Sequence, residues 1–422
     1  MVDFHNKKRL LSLFLVTILV GSLMTGLVSC AVKIQAQDLM KGISSDSVTG
    51  KNTDAKFISN ISDFNVELFK SSIKDNENSL ISPLSVILAL SMTTNGAANQ
   101  TLEQMREALA KDISLDDLNA YLYTYVKNLP NEKDSKLNIA NSIWFRDDAS
   151  RLSVEEDFLQ KNADYYNASA YKSAFDNQTL LDINNWVKAK TDGLIDKILD
   201  EIRDDAVMYL INALVFDAKW EKIYSKEFVK KGDFTAFDGT KKSVDMMDSE
   251  EKLYLEDEKA TGFIKPYKNN KYSFVALLPN QGISINDYID SLTGESFYKI
   301  INEPKNNLVS ASLPKFSYEY KITMNEPLKG LGMTDAFSAS VADFSKLGKS
   351  TIGNLYIGEV IHKTFISVGE LGTKAGAVTK VEIRDTSQPE YKYVILNRPF
   401  VYAIIDNATT LPIFIGTVID FG

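Results

Sequence analysis

Side chains suited to catalysis are scarce in this sequence. Of its two histidines, His5 lies at the N-terminus and His362 stands alone in the rest of the chain; the single cysteine is Cys30. One histidine suffices for a Ser/His/Asp relay, so a hydrolase built on His362 is one reading, and a satisfied core histidine is the other. A zinc site of several histidines or cysteines cannot be assembled, and GxSxG, HExxH, CxxC and Walker patterns are absent. No enzyme and no cofactor are therefore expected. Chemistry of another kind is suggested by GELGTKAGAVTKVEIRDTSQPE, residues 369–390. Thr373, Ala375, Ala377, Thr379, Val381 and Ile383 are small or apolar, while the opposite parity holds Lys374, Gly376, Val378, Lys380, Glu382 and Arg384. That is the period-two pattern of a strand.

Gly369, Gly372 and Gly376 fall in the first half of this stretch, and glycine weakens an extended segment by its entropy and lack of a side chain to pack. A mobile surface hairpin is the plain reading. The sharper one is a conditional strand that enters a sheet only after some event. Small uncharged side chains can slip between two existing strands, whereas a Lys or Glu on that face would become an uncompensated buried charge.

The elements that would have to receive such a strand can be read along the chain. Its 422 residues, 44% hydrophobic, suffice for one large core or two modest ones. From Phe57 the first half is mainly helical in pattern: Ile58, Ile61, Phe64, Leu68 and Phe69 form one stripe, and SPLSVILALSMTTNGA opens with a Ser-Pro start and runs apolar like a buried helix. SLDDLNAYLYTYVKNL and LLDINNWVKAKTDGLIDKIL continue the helical spacing. After Met208, AVMYLINALVF, KYSFVALLPN, NLVSASLPKF, RPFVYAIID and LPIFIGTVIDF are near-continuous apolar runs, as in strands buried on both faces. Helices and strands are segregated rather than alternating, which favours an α+β fold.

The net charge of −9 and the lack of a basic block with interleaved aromatics argue against nucleic acid as a partner. The N-terminus reads as a targeting segment: HNKKR is a positive n-region, LLSLFLVTILVGSLMTGLV an apolar h-region, and LVSC ends it at Cys30. LVSC resembles a bacterial lipobox, which implies that residues 1–29 are a lipoprotein signal peptide and that Cys30 becomes the lipidated first residue. The alternative is a retained membrane helix. Residues 30–55 are polar enough for a flexible tether, and with one cysteine no intramolecular disulfide can form. An exported protein, lipid-anchored to the cell envelope, is expected.

Nine ordered blocks resemble the serpin family. They are NSLISPLSVILALSMTTNGAANQTLEQM (78–105), LNIANSIWF (137–145), INNWVKAKTDGLI (183–195), LINALVFDAKWEKIY (210–224), VDMM (244–247), SLPKFSYEY (312–320), LGMTDAFSASVADFSKL (331–347), VIHKTFISVGELGTKAGAVT (360–379) and NRPFVYAI (397–404). The resemblance covers about residue 56 to the end and implies one serpin domain: a helical N-terminal half, a large, mostly antiparallel central sheet and a reactive-centre loop near residues 370–392. It also implies a suicide-substrate inhibitor of serine endopeptidases, with cysteine endopeptidases also possible targets. The protease cuts the loop and forms an acyl-enzyme, and the freed loop then inserts as an extra strand in the central sheet.

By the same resemblance Glu370, Gly372, Thr373, Ala375, Gly376, Ala377 and Val378 form the hinge. Ser82, Ser85, Asn212 and His362 form a shutter beneath the strands that must part, and Trp220 and Lys315 form a breach where Lys315 can pair with Glu370. Leu371 and Lys374 depart from the usual residues, but at hinge or outward positions, and no proline or inward charge interrupts the hinge. The scissile bond stays open. Loop length counted from Glu370 gives Thr386-Ser387, counting back from NRPF lands near Gln388, and Arg384 suits a trypsin-like pocket although Asp385 follows it. Ile383 suits an elastase-like or subtilisin-like one. The expected partner is a target serine protease held in a covalent complex by a monomer. Balanced charge over residues 101–129 predicts no heparin site. A serpin-fold surface protein that binds without inhibiting is the alternative.

Overall fold

A computed structural model describes residues 34–74, 77–147, 152–204, 206–351, 353–373 and 391–421. Helices form where the sequence supplies both an apolar stripe and a cap. α1 (Ala55–Ser72) starts at Asp54, whose side chain accepts from the Phe57 amide, and buries Phe57, Ile61, Phe64, Leu68 and Phe69 on one face. α2 (Pro83–Thr94) is capped by Ser82, has Pro83 in its first turn and is buried at every residue. It can be apolar all round because it packs on strands of two sheets. α3 (Asn99–Ala110), α4 (Leu115–Asn128), α5 (Glu156–Tyr166) and α6 (Asn177–Lys190) complete the N-terminal set. The helical spacing seen as far as Leu199 is not realised: α6 stops at Lys190, and Gly193 takes a φ of 78° that continues no helix.

The N-terminal half is also less purely helical than its pattern. Among the described residues the central sheet runs β1 (Gln37–Asp38), β5 (Ser169–Ser173), β3 (Ser135–Arg146), β6 (Met208–Lys219), β15 (Gly372–Thr373), β14 (Glu359–Gly369) and β12 (Phe316–Thr323). Thus β3 and β5, from the helical half, supply inner strands. Pairings are antiparallel except β3 with β5 and β14 with β6. The second sheet runs β16 (Tyr391–Ile395), β11 (Lys305–Pro314), β8 (Lys241–Glu256), β9 (Ala260–Pro266), β10 (Tyr272–Pro279), β17 (Phe400–Asp406), β18 (Pro412–Val418) and β2 (Leu80–Ile81), with β7 (Val229–Thr235) beside β8. β4 (Leu152–Val154) and β13 (Gly348–Ser350) pair separately. β10, β17 and β18 are buried at every residue, as continuous apolar runs require. Three short helices, α7 (Ile285–Ser291), α8 (Gly294–Asn302) and α9 (Asn325–Gly330), fall within the second half.

The expected tether is not free along its whole length. From Ala36 onward the chain belongs to the compact unit. β1 pairs with the outer edge of β5, and Leu39, Met40 and Ile43 pack against the core. Three apolar side chains in a polar stretch carry too weak a periodic signal to have announced this.

Among the described residues one charged pair lies inside the fold. Lys265 on β9 and Glu251 on β8 meet at 2.7 Å with side chains 2% and 7% exposed, and Ser249 donates to the same carboxylate oxygen. Burial pushes Lys265 below its ordinary value, with Glu251 opposing the shift. Removing one partner strands the other charge. Lys265→Met should therefore cost about 3–5 kcal/mol, and the double change Lys265→Met/Glu251→Leu should restore most of it. Urea unfolding midpoints of the two variants check this, and equal loss in both would disprove the coupling.

Candidate functional site

β6 and β14 lie side by side in the central sheet yet pair over only three rows, Tyr209 with Glu359, Leu210 with Val360 and Ile211 with Ile361. Beyond that the ladder stops. Farther along, β15 stands between them: Thr373 is level with Val368 and Ala218, and Gly372 with Gly369 and Lys219. The offset between β6 and β14 is the same at both ends, so the strands stay in register while held apart. A crevice lined by Leu214, Phe216, Ile366 and Thr373 lies directly below β15.

The wedge is made by a tight reversal after β14. Gly372 has a φ of 153°, and a Cβ there would sit 2.0 Å from the Ala218 carbonyl oxygen, so only glycine fits. Thr373 is buried, its hydroxyl 2.6 Å from the Tyr267 hydroxyl. Three donors hold the reversal. The Trp220 amide reaches the Leu371 carbonyl at 2.9 Å, the Tyr224 amide reaches the Glu370 carbonyl at 2.9 Å, and the Trp220 indole N–H reaches the Gly369 carbonyl at 2.8 Å.

Lys315 Nζ lies 2.8 Å from Glu370 Oε1, and its hydrogen bond holds the Glu370 carboxyl below the usual range. Both side chains are about a third exposed, so the pair is worth no more than about 1 kcal/mol. The aromatic platform beneath counts for more: Trp220, 1% exposed, stacks on Tyr267 with centroids 4.4 Å apart. Lys265 Nζ sits 5.4 Å from the Trp220 ring and 4.3 Å from the Tyr224 ring, so the buried ion pair braces this platform.

At the other end, the first row beyond the three-row ladder is His362 beside Asn212. His362 is buried, and its Nε2 accepts the Ser82 amide at 3.0 Å, which places the ring proton on Nδ1. Ser82 in turn caps α2, accepting the Ser85 amide at 3.3 Å. Burial pushes the His362 pKa down to about 4. A backbone amide in place of a hydroxyl nucleophile, together with low basicity, removes the geometry that the hydrolase reading needs. Asn212 Nδ2 donates to Asn141 Oδ1, while Asn212 Oδ1 is buried without a partner among the described residues.

The structure therefore gathers Glu370, Gly372, Thr373, Trp220 and Lys315 at one end of the gap, and Ser82, Ser85, Asn212 and His362 at the other. Ala375, Gly376, Ala377, Val378, Ile383, Arg384, Asp385, Thr386, Ser387 and Cys30 lie outside the described residues. Sequence reasoning missed Tyr267, Tyr224, Asn141 and the Lys265–Glu251 pair. Only Lys265 left a signal, as a lone charge in the apolar strand ATGFIKP.

A family model described as serpin (serine protease inhibitor) matches residues 59–421. The chain is a serpin. It is 30% identical to human Serpin B13 over 383 residues, covering 83% of this chain and 95% of that protein. The native-state crystal structure of a thermophilic serpin, tengpin, matches with a TM-score of 0.89 at 61% identity, covering 92% of this chain and all of that one. The latent-state structure of tengpin matches at 0.80, again at 61% identity, covering 89% of this serpin and all of that chain. The fold is thus nearer the native than the latent form of that neighbour. Serpins are generally protease inhibitors.

Burial of a neutral His362 makes the stability of the fold depend on pH. Its folded pKa, about 4, lies below the ordinary 6.5, so the unfolded chain binds the extra proton between those values. Stability due to this group is complete above about pH 6.5 and is lost as pH falls through about 4, by on the order of 3 kcal/mol. The gap in urea midpoint between this serpin and His362→Gln should narrow over that window. A gap independent of pH would show that His362 is not held neutral.

Proposed function

We propose that this serpin inhibits serine endopeptidases by inserting its cleaved loop between β6 and β14. The carrying observation is that Thr373 already sits between those strands, buried and paired to both. Serpin loop insertion is itself a long-recognised example of strand addition. What is particular here is the register. Continued antiparallel to both strands, Ala375 would fall level with Ile366 and Phe216, Ala377 with Thr364 and Leu214, Thr379 with His362 and Asn212, and Val381 with Val360 and Leu210. Every residue of the buried parity is small or apolar, and Thr379 would bring a hydroxyl to the row where Asn212 Oδ1 is unpartnered.

Magnitudes favour insertion. Displacing three rows of parallel ladder costs about 3 kcal/mol, whereas a strand pairing on both sides along residues 374–382 gains several times that at about 1 kcal/mol per bond. The uncleaved state is then kinetically trapped. The target would be a trypsin-like protease if Arg384 is attacked, and an elastase-like or subtilisin-like one if Ile383 is. Asp385, Thr386 and Ser387 stand as the remaining candidates near the cut. Export and lipid attachment through Cys30 to a bacterial envelope belong to the same reading and rest on the N-terminal sequence.

Incubation with trypsin, pancreatic elastase and subtilisin should give an SDS-stable complex with at least one of them, and the cleaved chain should melt well above the intact one. Thr373→Arg would force a charge into the buried row, so loop cleavage should persist while the complex falls at least tenfold. Cleavage without any complex would favour a binding protein, and unchanged melting after cleavage would rule out insertion.

A further inference from the structure

The buried parity of the loop accounts for one face of the gap between β6 and β14; the opposite face carries a charge pattern of its own. Neighbouring residues of a strand point to opposite faces, so with Thr373 buried the next position, 374, belongs to the outer one. The register set by Gly372 and Thr373 puts that position level with Asp217 on β6 and Ser367 on β14. The same row runs on to Ser317 on β12 and to Lys136 on β3. Asp217 and Ser367 are half-buried and Ser317 is exposed. All three line an open cavity of about 730 Å³ at the mouth of the gap, together with Gly372 and the Lys315–Glu370 pair. Residue 374 is lysine. Carried farther, the outer rows would set Gly376 between Val215 and Phe365, Val378 between Ala213 and Lys363, Lys380 between Ile211 and Ile361, and Glu382 between Tyr209 and Glu359. Of these rows only the first sets unlike charges side by side, and the last sets like ones. Directly opposed unlike charges on neighbouring strands attract and like charges repel, so attraction acts at the entrance of the gap and not at its far end.

We infer that Asp217 is a positioning residue for strand entry, drawing the Lys374 ammonium into the first outer row between β6 and β14. The inference rests on the inhibitory reading and deepens it. Once a protease has cut the loop, insertion competes with hydrolytic release of the acyl-enzyme, and an insertion that starts sooner traps more protease. Row 374 is the first to form beyond the wedge of Gly372 and Thr373, so its charge pair acts on that competition. Lys315 does not take the same part, because its Nζ is already held by Glu370. Loop attack is an earlier step, made at a bond well removed from this row, and Asp217 leaves its rate unchanged.

The full chain, Asp217→Lys, Lys374→Asp and the double reversal Asp217→Lys/Lys374→Asp are each mixed with trypsin, pancreatic elastase and subtilisin. At low salt each single reversal should lower the ratio of SDS-stable complex to cleaved chain about three- to tenfold, since an attraction is lost and a repulsion gained. The double reversal should return the ratio to within about twofold of the unmodified chain, and high salt should shrink all the differences. The rate constant for loop attack, summed over complex and cleaved chain, should not move. The rise in melting temperature on cleavage should shrink by about 2 °C in each single reversal and recover in the double. Single reversals that leave the ratio unchanged overturn the inference. So does a double reversal no better than the worse single one, since Asp217 would then answer to Lys136. If no protease yields a complex, the inhibitory reading fails, and the melting rise on cleavage still decides the role of the row. A chain whose melting does not rise on cleavage overturns both.

Discussion

Two neighbouring strands held in register but apart are the constraint on which this serpin is organised. β6 and β14 share three hydrogen-bonded rows at one end and at the other are separated by Gly372 and Thr373. The β6–β14 ladder covers three rows only, and the stretch beyond it is lined by apolar side chains and, among the described residues, the unpartnered amide oxygen of Asn212. A strand of the right pattern would satisfy all of these at once. On the proposed inhibitory reading, the energy released by insertion would come from bonds not yet made rather than from local distortion.

What keeps the arrangement in place is distributed unevenly. The Lys315–Glu370 contact is about a third exposed and weak, whereas Trp220 donates two hydrogen bonds to the reversal while stacked on Tyr267. Tyr267 also meets Thr373 directly. The aromatic platform and its buried Lys265–Glu251 brace thus set the position of the wedge, and the exposed ion pair trims it. At the far end, His362 joins β14 to the start of α2 through the Ser82 amide, so a helix common to both sheets is tied to the row at which the ladder opens.

Much of the fold was legible because it rests on local rules. α1, α2 and α4 declare themselves by caps and stripes, and β10, β17 and β18 by unbroken apolar runs. β3 and β5 were not legible as strands: their alternation is diluted by Asn and Ser at positions whose burial depends on neighbours far along the chain. The stop of α6 and the docking of Leu39, Met40 and Ile43 were hidden for the same reason, since each is decided by what lies opposite.

The sequence alone determined which residues can occupy the buried face of an inserting strand, because parity and side-chain size are properties of the segment itself. It also determined that metal and thiol chemistry built on several histidines or cysteines is out of reach. Only the tertiary structure decided where a strand of that pattern could fit, since β6 pairs with β14 and with β15 across more than a hundred residues of sequence. The same holds for Tyr267 and Asn141, ordinary residues in the sequence, which matter because hydrogen bonds and ring stacking act over a few ångströms of space and take no account of distance along the chain.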